Sequence, residues 1–273
     1  MGHGDQLLAT GFARGAYERG ESIAFGDPVQ QRIEWDHHSP EIFRGNPNIA
    51  EPGTENHGAA NLKWIHFCRG HRIYNRDDNA NQRWIWNYDF RPPRGELFFS
   101  PEERLDAAQA VGKEGFVVVE PHAALHKTVE PNKTWPEERF QHVAHQLRRD
   151  GHDVVQFEYS GIKVRLRHAR LVPTKSFRRA LALLERAALI VVSEGGLHHG
   201  AAAVNVPAVV LFGGFIPPQI TGYDGHANLA AEDQGPPCGK YVPCAHCISA
   251  IRSISAERVL EAARGLLVQR KAA

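Results

Sequence analysis

From Gly115 onward, continuously apolar runs of strand length alternate with amphipathic segments of helical period. The runs "GFVVVEPHA", "HDVVQFEYSG", "ALIVVSEGG" and "VPAVVLFGG" predict strands. The segments "WPEERFQHVAHQLRRDG", "KSFRRALALLERA", "LHHGAAAVN" and "SISAERVLEAARGLLVQR" predict helices, the last with Ser255 as N-cap. Strands that are apolar on both faces and alternate with helices imply a parallel sheet covered on two sides, here over roughly residues 113–268. Earlier in the chain, "GDQLLATGFARGAYERG" predicts a helix and "ESIAFGD" and "RIEWD" predict strands, with "HSPEIFRGNPNIAEPG" a loop. The segment from Asn61 to Ser100 alternates rings with charge and predicts short strands and loops, with an exit into a second domain at about Pro92 to Glu114. The fold class is therefore α/β, divided into residues 1–112 and 113–273, with a "ragged" basic piece between the second strand and the next helix.

Length and composition permit this division. The chain has 273 residues, 42% hydrophobic and 23% charged, enough to bury the cores of two domains. A formal net charge of +1 gives no argument for a polyanion partner, although sixteen histidines make the charge sensitive to mild acid. The N-terminus lacks the long apolar core of a signal peptide and no run of about eighteen apolar residues occurs, so a cytoplasmic location without a transmembrane partner is expected. Cys68 stands alone and Cys238, Cys244 and Cys247 cluster, which does not resemble a disulfide framework and fits a reducing compartment.

Candidate chemistry concentrates in "SEGGLHHGAAA", where a strand turns into a helix. In doubly wound sheets, ligands bind beyond the carboxyl ends of the strands. Gly195 and Gly196 allow close backbone approach, and the free amides and dipole of a helix start favour phosphate. Glu194, His198 and His199 are also competent metal ligands, but adjacent helical histidines diverge by about 100°. A third reading makes His199 a hydrogen-bonded structural residue and His198 a surface contact. The cysteine cluster raises zinc, with Cys244 and Cys247 at knuckle spacing but no second separated knuckle.

The order strand, acidic residue, Gly-Leu, His, Ala-rich helix, strand, "LFG", "TGY" resembles glycosyltransferase family 9, which contains the lipopolysaccharide heptosyltransferases. "NKTWPEERF" is similar to that family's Lys-x-Trp-Pro segment, and "GHGD" to its Gly-Asp start. The resemblance implies two facing Rossmann-like domains of GT-B type, the N-terminal one small and reduced. It implies a nucleotide-diphosphate-sugar donor held by Lys133, Glu194, Gly195, Gly196, Leu197, His199 and Gly213, with Phe212 opening the last loop. Asp5 would be the base that deprotonates an acceptor hydroxyl, in an inverting, metal-independent transfer with no cofactor. The acceptor would be a hydroxyl, as on a glycan or glycolipid, and the cysteine-bearing segment a structural loop.

Three departures stand out. The strand before Gly-Asp has no counterpart, the N-terminal domain is short, and Glu194 replaces the family's aspartate. On the acceptor side, His37, His38, Arg44 and Asn46 are candidates, with a surface loop the plainer reading. Near Lys133, Thr134 is expected to cap the next helix and Pro136 to occupy its first position. The rings from Trp64 to Trp86 suit sugars, bases or a packed core. Two other functions stay open: a non-catalytic sugar-nucleotide-binding protein, and a transferase acting on nucleic acid, against which the near-zero charge weighs.

Overall fold

The computed structural model describes residues 2–55, 62–65, 71–72, 74–122, 127–232 and 235–272; Cys68 lies outside them. The chain opens with α1 (His3–Tyr17), β1 (Ser22–Asp27), β2 (Arg32–Ile33), α2 (Ser39–Phe43) and β3 (Leu62–Ile65). β1 pairs in parallel with β3 and antiparallel with β2. An antiparallel meander follows, formed by β4 (His71–Arg72), β5 (Asn75–Asp78) and β6 (Arg83–Trp86). Helix α3 (Pro101–Val111) then occupies the predicted exit. It starts there because Ser100 and Glu103 cap each other: the Glu103 amide donates to Ser100 Oγ, and the Ser100 amide donates to Glu103 Oε2 at 2.9 Å.

The second half alternates as its apolar pattern predicts. Its strands are β7 (Val117–Glu120), β8 (Val154–Glu158), β9 (Arg170–Pro173), β10 (Leu189–Ser193), β11 (Ala208–Phe212) and β12 (Ala227–Ala230). Its helices are α4 (Glu130–Lys133), α5 (Glu137–Arg149), α6 (Phe177–Leu184), α7 (Gly196–Ala203), α8 (Pro218–Thr221), α9 (Ala245–Ser253) and α10 (Ala256–Ala272). All six strands are parallel, in the order β12-β11-β10-β7-β8-β9. That is the doubly wound order, and its switch point lies between β7 and β10.

The sheet separates two cores. Val117, Val119, Leu189, Val191, Val209 and Leu211 point to one face, where α5 buries Phe140, Val143, Ala144 and Leu147 at helical spacing. Val118, Ile190, Val192, Val210 and Phe212 point to the other, together with Leu181, Ala201, Leu7 and Leu8. The first helix therefore packs into the core of the second half. It is held there by the segment before α3: Glu96 N donates to Thr10 Oγ1 at 2.8 Å and Arg14 Nη2 to the Arg94 carbonyl at 2.7 Å. Buried Arg178 on α6 adds a second tie, donating to both oxygens of Glu103 at 2.5 and 2.9 Å and to the Phe98 carbonyl at 2.5 Å.

Several expectations need correction. Thr134 does not cap α5; its hydroxyl donates to the Glu130 carbonyl at 2.8 Å, closing α4, and Pro136 is the N-cap. The basic piece contains β9, hidden because Arg170 and Pro173 at its ends are exposed. β12 escapes the apolar pattern because it lies at the sheet edge and is only half-buried. The cysteine-bearing loop runs into α9, and the connector "HSPEIF" into α2, where Pro40 serves a helix start. Ser255 does cap α10, accepting from Arg258 N at 3.2 Å.

The tie between α1 and the segment before α3 gives a stability test. A Cβ on Gly95 would lie 2.4 Å from the Leu7 carbonyl oxygen and 2.9 Å from Thr10 Oγ1. Gly95→Ala is predicted to destabilise the fold by about 1–3 kcal/mol, read as a lower urea midpoint at unchanged slope; an unchanged midpoint would show that α1 is not clamped here.

Candidate active site

Two helix starts converge beyond the strand ends. β10 ends at Ser193, Glu194 and Gly195 follow, and α7 begins at Gly196. From the other half, α1 begins at His3 and brings Gly4 and Asp5. A Cβ on Gly4 would lie 2.8 Å from His199 Cδ2 and 3.5 Å from Gly196 Cα, so the helices touch backbone to ring. Gly196 is equally confined, since its Cβ would meet the Phe177 ring at 3.1 Å. Glycines at both starts permit the approach.

Lys133, at the end of α4, donates from Nζ to Glu194 Oε2, and the other Glu194 oxygen accepts from Thr221 Oγ1 at 3.5 Å. The ammonium also stands 4.8 Å over the Phe215 ring. Side-chain exposures of 13% and 8% make this a buried pair, with little solvent between the charges. Burial pushes the Glu194 carboxyl up, but the Lys133 ammonium beside it outweighs this and holds it below the usual glutamate range.

The histidines divide by hydrogen bonding. Gly195 N donates to His198 Nδ1 at 3.0 Å, so the proton sits on Nε2, which donates to the Thr221 carbonyl at 2.8 Å. Both nitrogens are spent, and the ring is wholly buried, which corrects the surface reading of His198. His199 Nδ1 shares a 2.7 Å hydrogen bond with Tyr223 Oη. Burial lowers the pKa of both rings, His199 well below its ordinary value, and raises that of Tyr223. Glu194, His198 and His199 do bring ligand atoms within 4.8 Å of one another, closer than helical spacing implies, because His198 folds back onto Gly195. The lysine and these hydrogen bonds already occupy that cluster.

Asp5 is positioned by Tyr74, whose hydroxyl donates to Oδ1, and Gly2 N lies 3.4 Å from Oδ2. Lys127 reaches the same spot, since a Cβ on Gly2 would lie 3.5 Å from its Nζ and 3.7 Å from Asp5 Oδ2. His3 stacks on Phe177 with centroids 4.2 Å apart, and His38 and His37 continue the row at 4.0 and 3.8 Å. At the switch point, buried Glu120 binds His122 Nδ1 at 2.8 Å, while His122 Nε2 accepts from Lys163 N and Val164 N at 3.0 and 2.9 Å.

The sequence profile of glycosyltransferase family 9 (heptosyltransferase) matches residues 75–243, which include Lys133 and every donor-side candidate. The chain belongs to glycosyltransferase family 9. Among solved structures it is similar to Escherichia coli ADP-heptose lipopolysaccharide heptosyltransferase II, with 22% identity, TM-score 0.50, and coverage of 70% of this chain and 56% of that one. A family 9 glycosyltransferase from Veillonella parvula aligns at 16% identity and TM-score 0.64 over 98% of this chain and 95% of that one. TibC, an iron-containing dodecameric glycosyltransferase of enterotoxigenic E. coli, aligns at 12% identity and TM-score 0.60, over 100% and 75%. These likenesses show a shared GT-B fold. This chain thus spans little more than half the length of the E. coli heptosyltransferase. A search of curated proteins finds no match.

Within this family 9 chain, Lys133, Glu194, Gly195, Gly196 and His199 are brought together with Asp5, although Asp5 lies outside the profile match. Leu197 is half-buried against the core of the sheet. Gly213 packs elsewhere: its Cβ would meet the Asn132 carbonyl oxygen and Ile251 Cβ, each at 3.0 Å, so it serves the seating of α4. His37 and His38 border the cleft. Arg44 lies exposed at the far end of α2, and Asn46 donates to Glu96 Oε1 at 3.1 Å as a structural residue. Trp86 and Tyr74 are buried and Trp84 packs on Tyr241, so these rings serve packing, with the Tyr74 hydroxyl also reaching Asp5. A cavity of about 800 Å³, lined by Arg94, Asn205, Tyr223, His226 and Arg270, opens at the amino ends of β11 and β12, opposite the strand ends that carry Glu194. Among the described residues, no helix is long and apolar enough to cross a membrane.

The pair and the histidines give two tests. Lys133→Met leaves a buried carboxylate uncompensated and is predicted to cost about 3–5 kcal/mol at neutral pH. The loss should shrink as the pH falls through the glutamate range, because the isolated carboxyl then takes a proton, whereas the wild-type pair contributes only above that range. A variant whose deficit is independent of pH would contradict the pairing. Separately, burial pulls His3 and His226 to about 4 and depresses His198 and His199. These rings bind protons in the unfolded chain first, so unfolding free energy should fall between about pH 6.5 and 4. Glu120, raised by burial, opposes this with a single group. Stability that stays level on acidification to pH 5 would refute the neutral histidine cluster.

Proposed function

We propose that this chain transfers a sugar from a nucleotide-diphosphate sugar to an acceptor hydroxyl, in one inverting displacement that needs neither metal nor cofactor. The observation that carries this reading is the contact of the α1 start, bearing Asp5, with the α7 start, beside the Lys133–Glu194 pair. The donor's diphosphate lies on the first-turn amides of α7, where backbone N–H groups and the helix dipole meet its charge. Lys133 turns its ammonium toward the departing phosphate, and Glu194 holds that side chain in reach until the donor arrives. The nucleoside extends toward the switch point between β7 and β10. The hydrogen bond between His199 Nδ1 and the Tyr223 hydroxyl orients the ring so that Nε2 faces Gly4 and the cleft.

Asp5 takes the acceptor's proton. Tyr74 fixes one carboxylate oxygen and leaves Oδ2 toward Gly2 and Lys127. As the acceptor O–H bond breaks, its oxygen forms the new bond to the anomeric carbon. The bond from that carbon to the phosphate oxygen breaks, and its electron pair leaves with the nucleoside diphosphate. Attack opposite the leaving group inverts the centre. The acceptor, a hydroxyl of a glycan or glycolipid, enters past His37 and His38.

Thermal-shift screening of ADP-, GDP-, UDP- and dTDP-sugars identifies the donor, because a bound donor stabilises the fold by mass action. With that donor, Asp5→Asn is predicted to lower kcat by about 10²–10⁴-fold with donor KM little changed, as expected for loss of a general base. Donor binding with no turnover would instead favour a non-catalytic nucleotide-sugar-binding protein, and turnover that Asp5→Asn leaves intact would remove Asp5 from the role of base.

A further inference from the structure

Outside the cleft, the loop after β12 and the first turn of α9 together gather three thiols and an imidazole. Cys238, Cys244, His246 and Cys247 each offer one ligand atom, and these atoms lie within 4.8 Å of one another. Cys238 Sγ stands 3.8 Å from Cys244 Sγ and 3.1 Å from Cys247 Sγ. Thiolates about 2.3 Å from a tetrahedral metal are about 3.8 Å apart, which is the Cys238–Cys244 separation, while Cys238 and Cys247 stand closer and would spread around an ion. A disulfide requires about 2.05 Å, and the three cysteines are free.

The surroundings are built for this set. Cys244 is the N-cap of α9 and buried Cys247 lies in its first turn, a Cys-x-x-Cys knuckle at a helix start. Gly214 makes room for the imidazole, since a Cβ there would lie 2.6 Å from His246 Cε1. Cys238 N donates to the Gly214 carbonyl at 2.9 Å, and Cys244 N to Asn132 Oδ1 at 2.8 Å. Asn132, wholly buried, donates in turn to the carbonyls of Lys240 and Val242, each at 2.8 Å. Such contacts orient ligands ahead of the metal.

We propose that Cys238, Cys244, His246 and Cys247 form a closed tetrahedral site for a thiolate-binding transition metal, zinc or iron. Four protein ligands leave no open position, so the metal is structural and takes no part in sugar transfer. One knuckle suffices because His246 lies within it, in the first turn of α9, and Cys238 comes from the loop before the helix. The site staples that loop to α9 and, through Asn132, steadies the end of α4 beside Lys133. The proposal is independent of the transferase reading.

The test uses the full chain, purified under reducing conditions without added metal. Elemental analysis should find about one equivalent of zinc or iron per chain, and which of the two is read directly. After chelation, titration with cobalt(II) should give the intense visible bands of tetrahedral coordination together with thiolate charge-transfer absorption. Cys238→Ser/Cys247→Ser should lose the charge-transfer absorption, and His246→Ala should shift the visible bands while retaining it. Metal-free reduced protein that gives only the weak spectrum of octahedral cobalt overturns the proposal. So does a cobalt spectrum unchanged in any of these variants, or a disulfide between Cys238 and Cys247 in the reduced preparation.

Discussion

At Gly4 the first helix comes so close to α7 that a methyl group would strike the His199 ring. The cleft depends on this contact. It brings two helix starts together, each with its unsatisfied amides and positive dipole end directed at the same space. One start carries a carboxylate in its first turn and the other presents glycines. Each start has a cation beside it: Lys127 stands near Asp5 at the first, and Lys133 near Glu194 at the second. Covering of the sheet's second core by α1 and fastening through Gly95 and Arg178 follow from the same requirement.

The Lys133–Glu194 pair is better understood as preorganisation than as a source of stability. Removing two charges from water costs several kcal/mol per ion, which their attraction roughly offsets. What the pair secures is the direction of a lysine with few alternatives open to it, over Phe215 and beside the turn into α7. Asn132 precedes that lysine and organises the cysteine loop with three side-chain hydrogen bonds. The geometry of the cleft thus extends beyond its lining residues into the packing of α4 and α9.

Much of the second half was legible because burial on both faces leaves a plain mark: Val117–Val119 and Ala208–Phe212 are continuous apolar runs. The edge strand β12 and the polar-ended β9 carry no such mark. Lys133, Glu194 and His199 were reached through motif resemblance, which carries spacing that periodicity cannot supply. Tyr74 on Asp5 was out of reach, since nothing local encodes a pairing across 69 positions. Lys127 and the Glu120–His122 pair, at and beyond the end of β7, belong to no motif, and strand periodicity gives their positions but not their partners. Gly213 was assigned by position in a motif, but its environment is the backbone of α4. His198 was misplaced because its bond to Gly195 reverses the outward direction expected from its helical position.

The central claim is that one cleft holds the donor's diphosphate against α7 while presenting Asp5 to its far side. A crystal structure of the chain with the nucleoside diphosphate it binds most tightly tests this directly. The account predicts phosphate oxygens on the amides of Gly196 and Leu197, Lys133 Nζ transferred from Glu194 to the terminal phosphate, and Asp5 facing the position the sugar would fill. A diphosphate seated in the arginine-lined cavity behind Tyr223, or Lys133 still paired with Glu194 and remote from the phosphates, would contradict it.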